Sequence, residues 1–141
     1  MSSLKTPSPP RSLSYLALGD SYSIGEGVDA DHTWPAMLAR RLTRTGLATD
    51  APRIIATTGW TTEEFLEATR LPEYSRTLSR THGLVSVLIG VNNQYRGQDL
   101  ATYRTTFKQI LDLAIERADG AARRVFVVSI PDWGGSPFAA D

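Results

Sequence analysis

The chain has 141 residues, of which 41% are hydrophobic and 21% charged, and fifteen basic residues balance fifteen acidic ones. This composition is typical of a globular domain, and the absence of net charge argues against nucleic acid or an anionic membrane as a partner. There is no cysteine, which excludes disulfides and thiolate metal sites. No apolar run approaches membrane-spanning length, so we expect a cytoplasmic protein.

The amino-terminal segment differs from the rest of the chain. Its sequence, MSSLKTPSPPRS, is rich in proline and serine and has no apolar core of a signal peptide. We therefore expect residues 1–12 to form a disordered leader and residues 13–141 to form one domain.

Four short apolar segments predict strands that are buried on both faces. They are residues 13–19, 53–57, 84–90 and 124–130.

Helical patterns separate these strands. One runs between residues 33 and 46, a second opens with the capping pair Thr61 and Glu64, and a third spans residues 99–120 with an apolar stripe along one side. Strands that alternate with helices predict a three-layer α/β/α fold with a parallel sheet. Functional sites in such sheets gather at the carboxyl ends of the strands.

Three of these strand ends carry residues suited to acyl transfer. Ser21 follows the first strand, Gly59 the second and Asn92 the third. A serine supplies a nucleophile, a glycine lets a carbonyl approach the backbone N–H, and an amide donates to an oxyanion without losing a proton. The ordinary alternatives are that Asp20 and Ser21 cap a turn, that Gly59 serves a turn, and that Asn92 forms an Asx turn.

The motifs resemble those of the GDSL or SGNH hydrolases. GDSYSIGEG is similar to the first block of that family, the glycine of TTGWTT to the second, and GVNN to the third, G-x-N-D, with Asn93 in the place of the aspartate. The resemblance implies a flavodoxin-like sheet of order 2-1-3-4. It also implies a Ser21 nucleophile, with an oxyanion hole made of the Ser21 N–H, the Gly59 N–H and the Asn92 side chain. The implied reaction is hydrolysis of a small-molecule ester, without metal or cofactor.

The fourth block of the family, a D-x-x-H that follows a fifth strand, has no counterpart after the fourth predicted strand, and the one D-x-x-H in the sequence, Asp29 to His32, lies between the first and second strands. In the family this block supplies the base, whereas the two histidines of this chain, His32 and His82, both come before the third predicted strand. We expect neither histidine to be the base, and we expect the domain to be truncated, with the fifth strand missing. The alternative function is a non-catalytic fragment or ligand-binding module. An uncovered fourth strand also predicts self-association.

Other motifs are weaker. The segment GEGVDA fits a dinucleotide fingerprint but lies too far from the strand. A phosphate receiver built on Asp20 lacks further acids and a late lysine. Trp60, Tyr95 and Trp133 are candidates to line an acyl or sugar pocket or to belong to the core, and Arg96 is a candidate contact for an anionic substrate group or a solvated side chain.

Overall fold

A parallel sheet of four strands forms the centre of the computed structural model, which describes residues 11–132, 135 and 137. The strands are β1 (Tyr15–Gly19), β2 (Arg53–Ala56), β3 (Leu84–Leu88) and β4 (Val125–Val127). Their order is β2-β1-β3-β4, and every neighbouring pair is parallel. The predicted sheet order is therefore confirmed.

Six helices connect the strands. They are α1 (Ser21–Ile24), α2 (Trp34–Arg44), α3 (Thr62–Ala68), α4 (Pro72–Leu78), α5 (Val91–Tyr95) and α6 (Leu100–Arg117), with 3-10 turns at Ala30–His32 and Ala122–Arg124. The three predicted helices are present as α2, α3 and α6. Thr33, Thr61 and Asp99 cap them through their side chains, and Thr61 and Glu64 form the expected capping box.

Helix α4 was not predicted, because its sequence, PEYSRTL, lacks an apolar stripe. The proline in its first turn is the signal that was available.

The strands are shorter than their apolar segments. β4 covers three of the seven residues expected, and only the bond from the Val128 N–H to the Val87 carbonyl extends its pairing. Its partner β3 already ends at Leu88, and Pro131 has no N–H to donate. β4 lies at one edge of the described sheet, and Val127 is 50% exposed there.

Side chains alternate between two cores, one on each face of the sheet. On β1, Leu16 and Leu18 point to the core shared with α3 and α6, whereas Tyr15 and Ala17 point to a smaller core that includes Ala39 of α2. Helices therefore cover both faces, as a three-layer fold requires. The Tyr15 hydroxyl lies 2.8 Å from the Ser86 hydroxyl, and burial raises the pKa of Tyr15 to about 12.

None of the helices in the described ranges is long and apolar enough to cross a bilayer. The predicted leader, residues 1–12, lies outside the described residues except for Arg11 and Ser12.

Candidate functional site

The three strands that carry the predicted site residues end at one level. Gly19 of β1 pairs with Ala56 of β2 on one side and with Leu88 of β3 on the other. Ser21, Gly59 and Asn92 lie two, three and four residues beyond this level. Since neighbouring strands are about 4.8 Å apart, the register brings the three loops to the same edge of the sheet.

Ser21 is the first residue of α1 and is partly exposed. The cap of this helix is the preceding residue, since the Asp20 carboxylate accepts the Tyr22 N–H at 3.1 Å. Within the described ranges the Ser21 hydroxyl has no hydrogen-bond partner. The capping alternative therefore accounts for Asp20 and leaves the Ser21 hydroxyl free for another role.

The Asp20 carboxyl is completely buried, and its Oδ2 has no partner among the described residues. Burial raises the pKa of Asp20, and the backbone N–H groups of Tyr22 and Gly90 oppose that shift. The pKa of Tyr103 is also raised, first by its own burial and then by the charge of Asp20. Asp20 thus lies where the loop after β1 meets the loop after β3.

Gly59 lies in the loop between β2 and α3 with a φ of +87°, a conformation that costs a side-chain-bearing residue free energy. Space is not the constraint, because a Cβ there would meet nothing nearer than the Arg96 Nη2, at 3.9 Å. The Gly59 carbonyl accepts a hydrogen bond from that Nη2 at 2.8 Å. The backbone turn, rather than the close approach of a ligand, is thus sufficient reason for glycine here.

Asn92, in the short helix α5, is joined to the loop that carries Gly59. Its Nδ2 donates to the Trp60 carbonyl at 2.9 Å. An amide nitrogen has two hydrogens, so one orients the side chain while the second is left for another acceptor. The predicted alternative, an Asx turn, would need the Asn92 Oδ1 to accept a nearby backbone N–H, and no such bond occurs among the described residues; the bond that Asn92 donates instead reaches 32 residues back along the chain.

The loop after β3 also depends on Gly90, which has a φ of +141°. A Cβ at this position would lie 2.6 Å from the Tyr103 hydroxyl, and that hydroxyl donates to the Ile89 carbonyl at 3.1 Å. A glycine is required here both by the backbone and by the close approach of Tyr103. The start of α5 is thereby packed directly against α6.

Sequence reasoning missed a buried polar group beside the site. Asn93 is only 3% exposed and forms hydrogen bonds with Thr62 and with Gln98. Its only signal in the sequence was its position in GVNN, next to Asn92.

The structure places the aromatic and cationic candidates in different environments. Trp60 packs edge-on against Phe65 and Tyr74, which places it against the main core. Tyr95 is 66% exposed, and Trp133 lies outside the described residues. Arg96 forms an ion pair with Glu64 at 2.6 Å, and this bond is the main cause of the lowered pKa of Glu64.

A cavity of about 380 Å³ opens beside the loop after β3. Gly90, Asn93, Gln98 and Tyr103 line one side of it, and residues 130–132, which follow β4, line the other. Ser21 and Gly59 do not line this cavity, so it is a neighbour of the strand-end loops rather than their centre.

Both histidines lie within the described ranges. His82 precedes β3, at the opposite edge of the sheet from Ser21, and its Nε2 is 3.1 Å from the Thr77 carbonyl. The five residues of a strand separate the two edges by more than about 13 Å. The His32 side chain is exposed, with its Nδ1 3.9 Å from the Asp29 carboxylate. No group of three or more metal-ligating side chains occurs in the described part of the chain.

Comparisons with known proteins point to one family. The profile of the GDSL-like Lipase/Acylhydrolase family matches residues 17–141. No curated protein matches the sequence.

Solved structures share the fold. AlinE4, an SGNH-hydrolase family esterase, is 28% identical with a TM-score of 0.63, over 86% of this chain and 60% of AlinE4. TesA is 24% identical with a TM-score of 0.60, over 82% of this chain and 58% of TesA. Lip_vut3, a lipase from a goat rumen metagenome, is 16% identical with a TM-score of 0.64, over 90% and 67%. The chain thus spans about three fifths of the length of AlinE4 and of TesA.

Proposed function

Because this chain belongs to the GDSL-like lipase/acylhydrolase family, we propose that it provides the nucleophile and oxyanion hole of a serine ester hydrolase. The observation that carries this proposal is the bond between Asn92 and the Trp60 carbonyl, which joins two of the three candidate loops. The common end of β1, β2 and β3 brings the loop with Ser21 to the same edge.

In the proposed reaction, the Ser21 oxygen attacks the carbonyl carbon of a carboxylic ester. A Ser21–carbon bond forms, the carbonyl oxygen takes up negative charge, and the bond to the alcohol then breaks to leave an acyl-enzyme. Water attacks that acyl group in the second half of the reaction and releases the carboxylic acid and the free serine.

Three N–H groups are the proposed donors to the oxyanion. The Ser21 N–H begins α1 and so is not used inside the helix. The Gly59 N–H lies in the loop after β2, and Arg96 donates a hydrogen bond to the carbonyl of the same residue. Asn92 retains its second Nδ2 hydrogen. Fixed donors aimed at developing charge are usually the largest electrostatic contribution to acyl transfer.

The Ser21 proton needs an acceptor, and we propose that neither histidine of this chain provides it. His82 lies at the wrong edge of the sheet, and His32 is an exposed side chain near Asp29. We expect a D-x-x-H segment in a longer form of the protein to supply this base, consistent with the share of AlinE4 and TesA that the chain spans.

Covalent labelling of the 141-residue chain tests the nucleophile. An alkyl p-nitrophenyl phosphonate forms a Ser21–phosphorus bond as p-nitrophenolate leaves, and its phosphonyl oxygen occupies the position of the oxyanion. Because the base is missing, we expect labelling to be slow, but on long incubation it should reach one phosphonyl group per chain, located at Ser21 by peptide mass spectrometry and absent from Ser21→Ala. Ser23→Ala is the matched control, because Ser23 is buried two residues away. Labelling that is equal in wild type and Ser21→Ala would refute the proposal.

A non-catalytic, ligand-binding module is the second candidate, and the observation favouring it is that neither histidine is bonded to Ser21 in the described ranges, since His82 contacts Thr77 and His32 contacts Asp29. Without a base, residual rates of roughly 10³–10⁴ over water are expected from binding and the oxyanion hole alone. The measurement is the pH–rate profile of p-nitrophenyl acetate hydrolysis. We expect no titration near the ordinary histidine pKa and no change in His32→Ala or His82→Ala. A chain that fails to label at Ser21 but binds the ester would favour the module.

A further inference from the structure

Asn93 uses both of its amide hydrogens and its carbonyl oxygen inside the protein. The Thr62 N–H donates to its Oδ1 at 3.1 Å, and its Nδ2 donates to the Thr62 Oγ1 at 2.9 Å and to the Gln98 Oε1 at 2.7 Å. A buried amide with these partners has one defined orientation. Asn93 therefore fixes the first residue of α3 against α5.

The hydrogen bonds continue into α6. The Thr62 and Thr106 hydroxyl oxygens are 2.6 Å apart, and the Thr106 hydroxyl lies 2.9 Å from the Thr102 carbonyl, which can only accept. One consistent set of donors follows, in which Asn93 donates to Thr62, Thr62 to Thr106, and Thr106 to the backbone of Thr102. Helices α3, α5 and α6 are thus joined by hydrogen bonds that meet at the buried residue Thr62.

Asn92 and Asn93 hold the loop after β2 at two points. Asn92 bonds to the Trp60 carbonyl, and Asn93 bonds to both the N–H and the hydroxyl of Thr62. The Trp60 carbonyl is the group that orients the Asn92 amide, and it lies between Gly59 and the residue that Asn93 holds. A shift of Thr62 would consequently move both the acceptor of Asn92 and the peptide of Gly59.

We infer that Asn93 is a positioning residue that holds the Gly59 N–H and the Asn92 amide at the distance from each other that the oxyanion needs. This inference rests on the proposed function of Asn92 and Gly59. Asn93 itself touches no reacting atom. A misplacement of about 1 Å by a distant substitution can lower a rate by about 10²-fold, so the contribution of Asn93 is measurable through the groups it holds.

Two substitutions of Asn93 distinguish the effect of its hydrogen bonds from the effect of filling the same buried space. Asn93→Leu keeps the approximate size but leaves the buried Thr62 N–H without its acceptor. Asn93→Asp keeps that acceptor, because the carboxylate accepts from the Thr62 N–H and hydroxyl, and a rotated Gln98 amide donates to it. We expect Asn93→Leu to lower the rate of Ser21 phosphonylation by about 10–10²-fold, and Asn93→Asp to restore most of it.

A double-mutant cycle with Asn92→Ala tests whether Asn93 acts through its neighbour. If it does, Asn93→Leu will lower the labelling rate less in the Asn92→Ala background than in wild type. Lys108→Met, which removes an exposed ion pair on α6, is the control and should leave the rate unchanged. Additive effects in the cycle, or an unchanged rate in Asn93→Leu, would overturn the inference.

Nuclear magnetic resonance gives a readout that does not depend on reaction. The Asn92 side-chain amide, assigned by its loss in Asn92→Ala, should exchange with solvent roughly fivefold to tenfold faster in Asn93→Leu, because its bond to Trp60 is loosened. In Asn93→Asp the exchange should match wild type, and no change in Asn93→Leu would overturn the inference even if that variant labels slowly. Equal labelling of wild type and Ser21→Ala would instead refute the proposed function, while this exchange would still report on Asn93.

Discussion

The two edges of the sheet use polar side chains in opposite ways. At the carboxyl edge, the Ser21 hydroxyl and one Asn92 hydrogen have no partner among the described residues, although the loops around them are bound together. At the amino edge, Ser14 accepts the Gly83 N–H at 2.9 Å, and His82 bonds to the Thr77 carbonyl through its ring and to the Arg117 carbonyl through its N–H. At the carboxyl edge, hydrogen-bond donors are left without a partner among the described residues. At the amino edge, polar groups form hydrogen bonds that join one secondary-structure element to another. Substitutions should therefore change activity at the first edge and stability at the second.

The largest effect is expected at Asn92. Asn92→Ala removes one oxyanion donor and should lower kcat for p-nitrophenyl acetate by about 10²–10³ in a form of the protein that carries the base. Thermal unfolding of the same variant should show a far smaller relative change, since Asn92 is partly exposed. An unchanged kcat would show that Asn92 is not an oxyanion donor.

The next effect is on stability and belongs to the amino edge. His82 is 5% exposed, and His82→Ala removes its packing and the hydrogen bond from its ring to the half-buried Thr77 carbonyl, which should cost about 0.5–3 kcal/mol. Urea unfolding measures this loss, and Ser21 labelling should not change. His32→Ala is the matched control, since an exposed histidine should alter stability by less than about 0.5 kcal/mol. Slower labelling in His82→Ala at unchanged stability would contradict the division between the edges.

The pH dependence of folding stability is a further test of the difference between the two edges. Burial is the main cause of the lowered pKa of His82, and Arg53, Arg80 and Arg117 add to it. Below its ordinary pKa of 6.5 the unfolded chain binds a proton that the folded chain resists, so stability should fall as the pH drops from 6.5 towards the folded-state pKa. His82→Gln, measured by urea unfolding at several pH values, should show a weaker loss. Equal losses in both proteins would mean that other groups dominate.

A smaller effect is expected from Arg96. Arg96→Met removes the bonds to the Gly59 carbonyl and to Glu64, but both charged side chains are substantially exposed, and such pairs contribute about 0.2–1 kcal/mol. The labelling rate at Ser21 should fall by only a few-fold, and 1 M salt should reduce the difference from wild type. A loss as large as that of Asn92→Ala would assign Arg96 a direct role.

The weakest effect concerns the edge of β4. We propose that the chain pairs with a second copy along this strand, where Val127 is exposed and unpaired backbone groups remain on the outer side among the described residues. Sedimentation should detect association at high protein concentration, and Val127→Lys should reduce it. A monomer at every concentration tested would refute the proposal.

Sequence patterns were sufficient for the sheet but not for the connections between its loops. Continuous apolar runs identify strands covered on both faces, and three caps identify α2, α3 and α6, because both signals are local. The bonds from Asn92 to Trp60 and from Asn93 to Thr62 span 32 and 31 residues, and no local pattern specifies such pairs. Gly59 was predicted as a site residue for its small size, whereas its φ is the constraint that the structure reveals.

The shared level of Gly19, Ala56 and Leu88 has a consequence for how this sequence tolerates length changes. Each site residue lies a fixed count beyond that level, so one residue inserted into β1 would shift Ser21 by about 3.3 Å and reverse the direction of the later side chains of that strand. A single insertion at the exposed turn around Gly46 changes none of these counts. Insertions and deletions in the strands should therefore be far more damaging than the same change at the Gly46 turn, and insertions should accumulate at the amino edge.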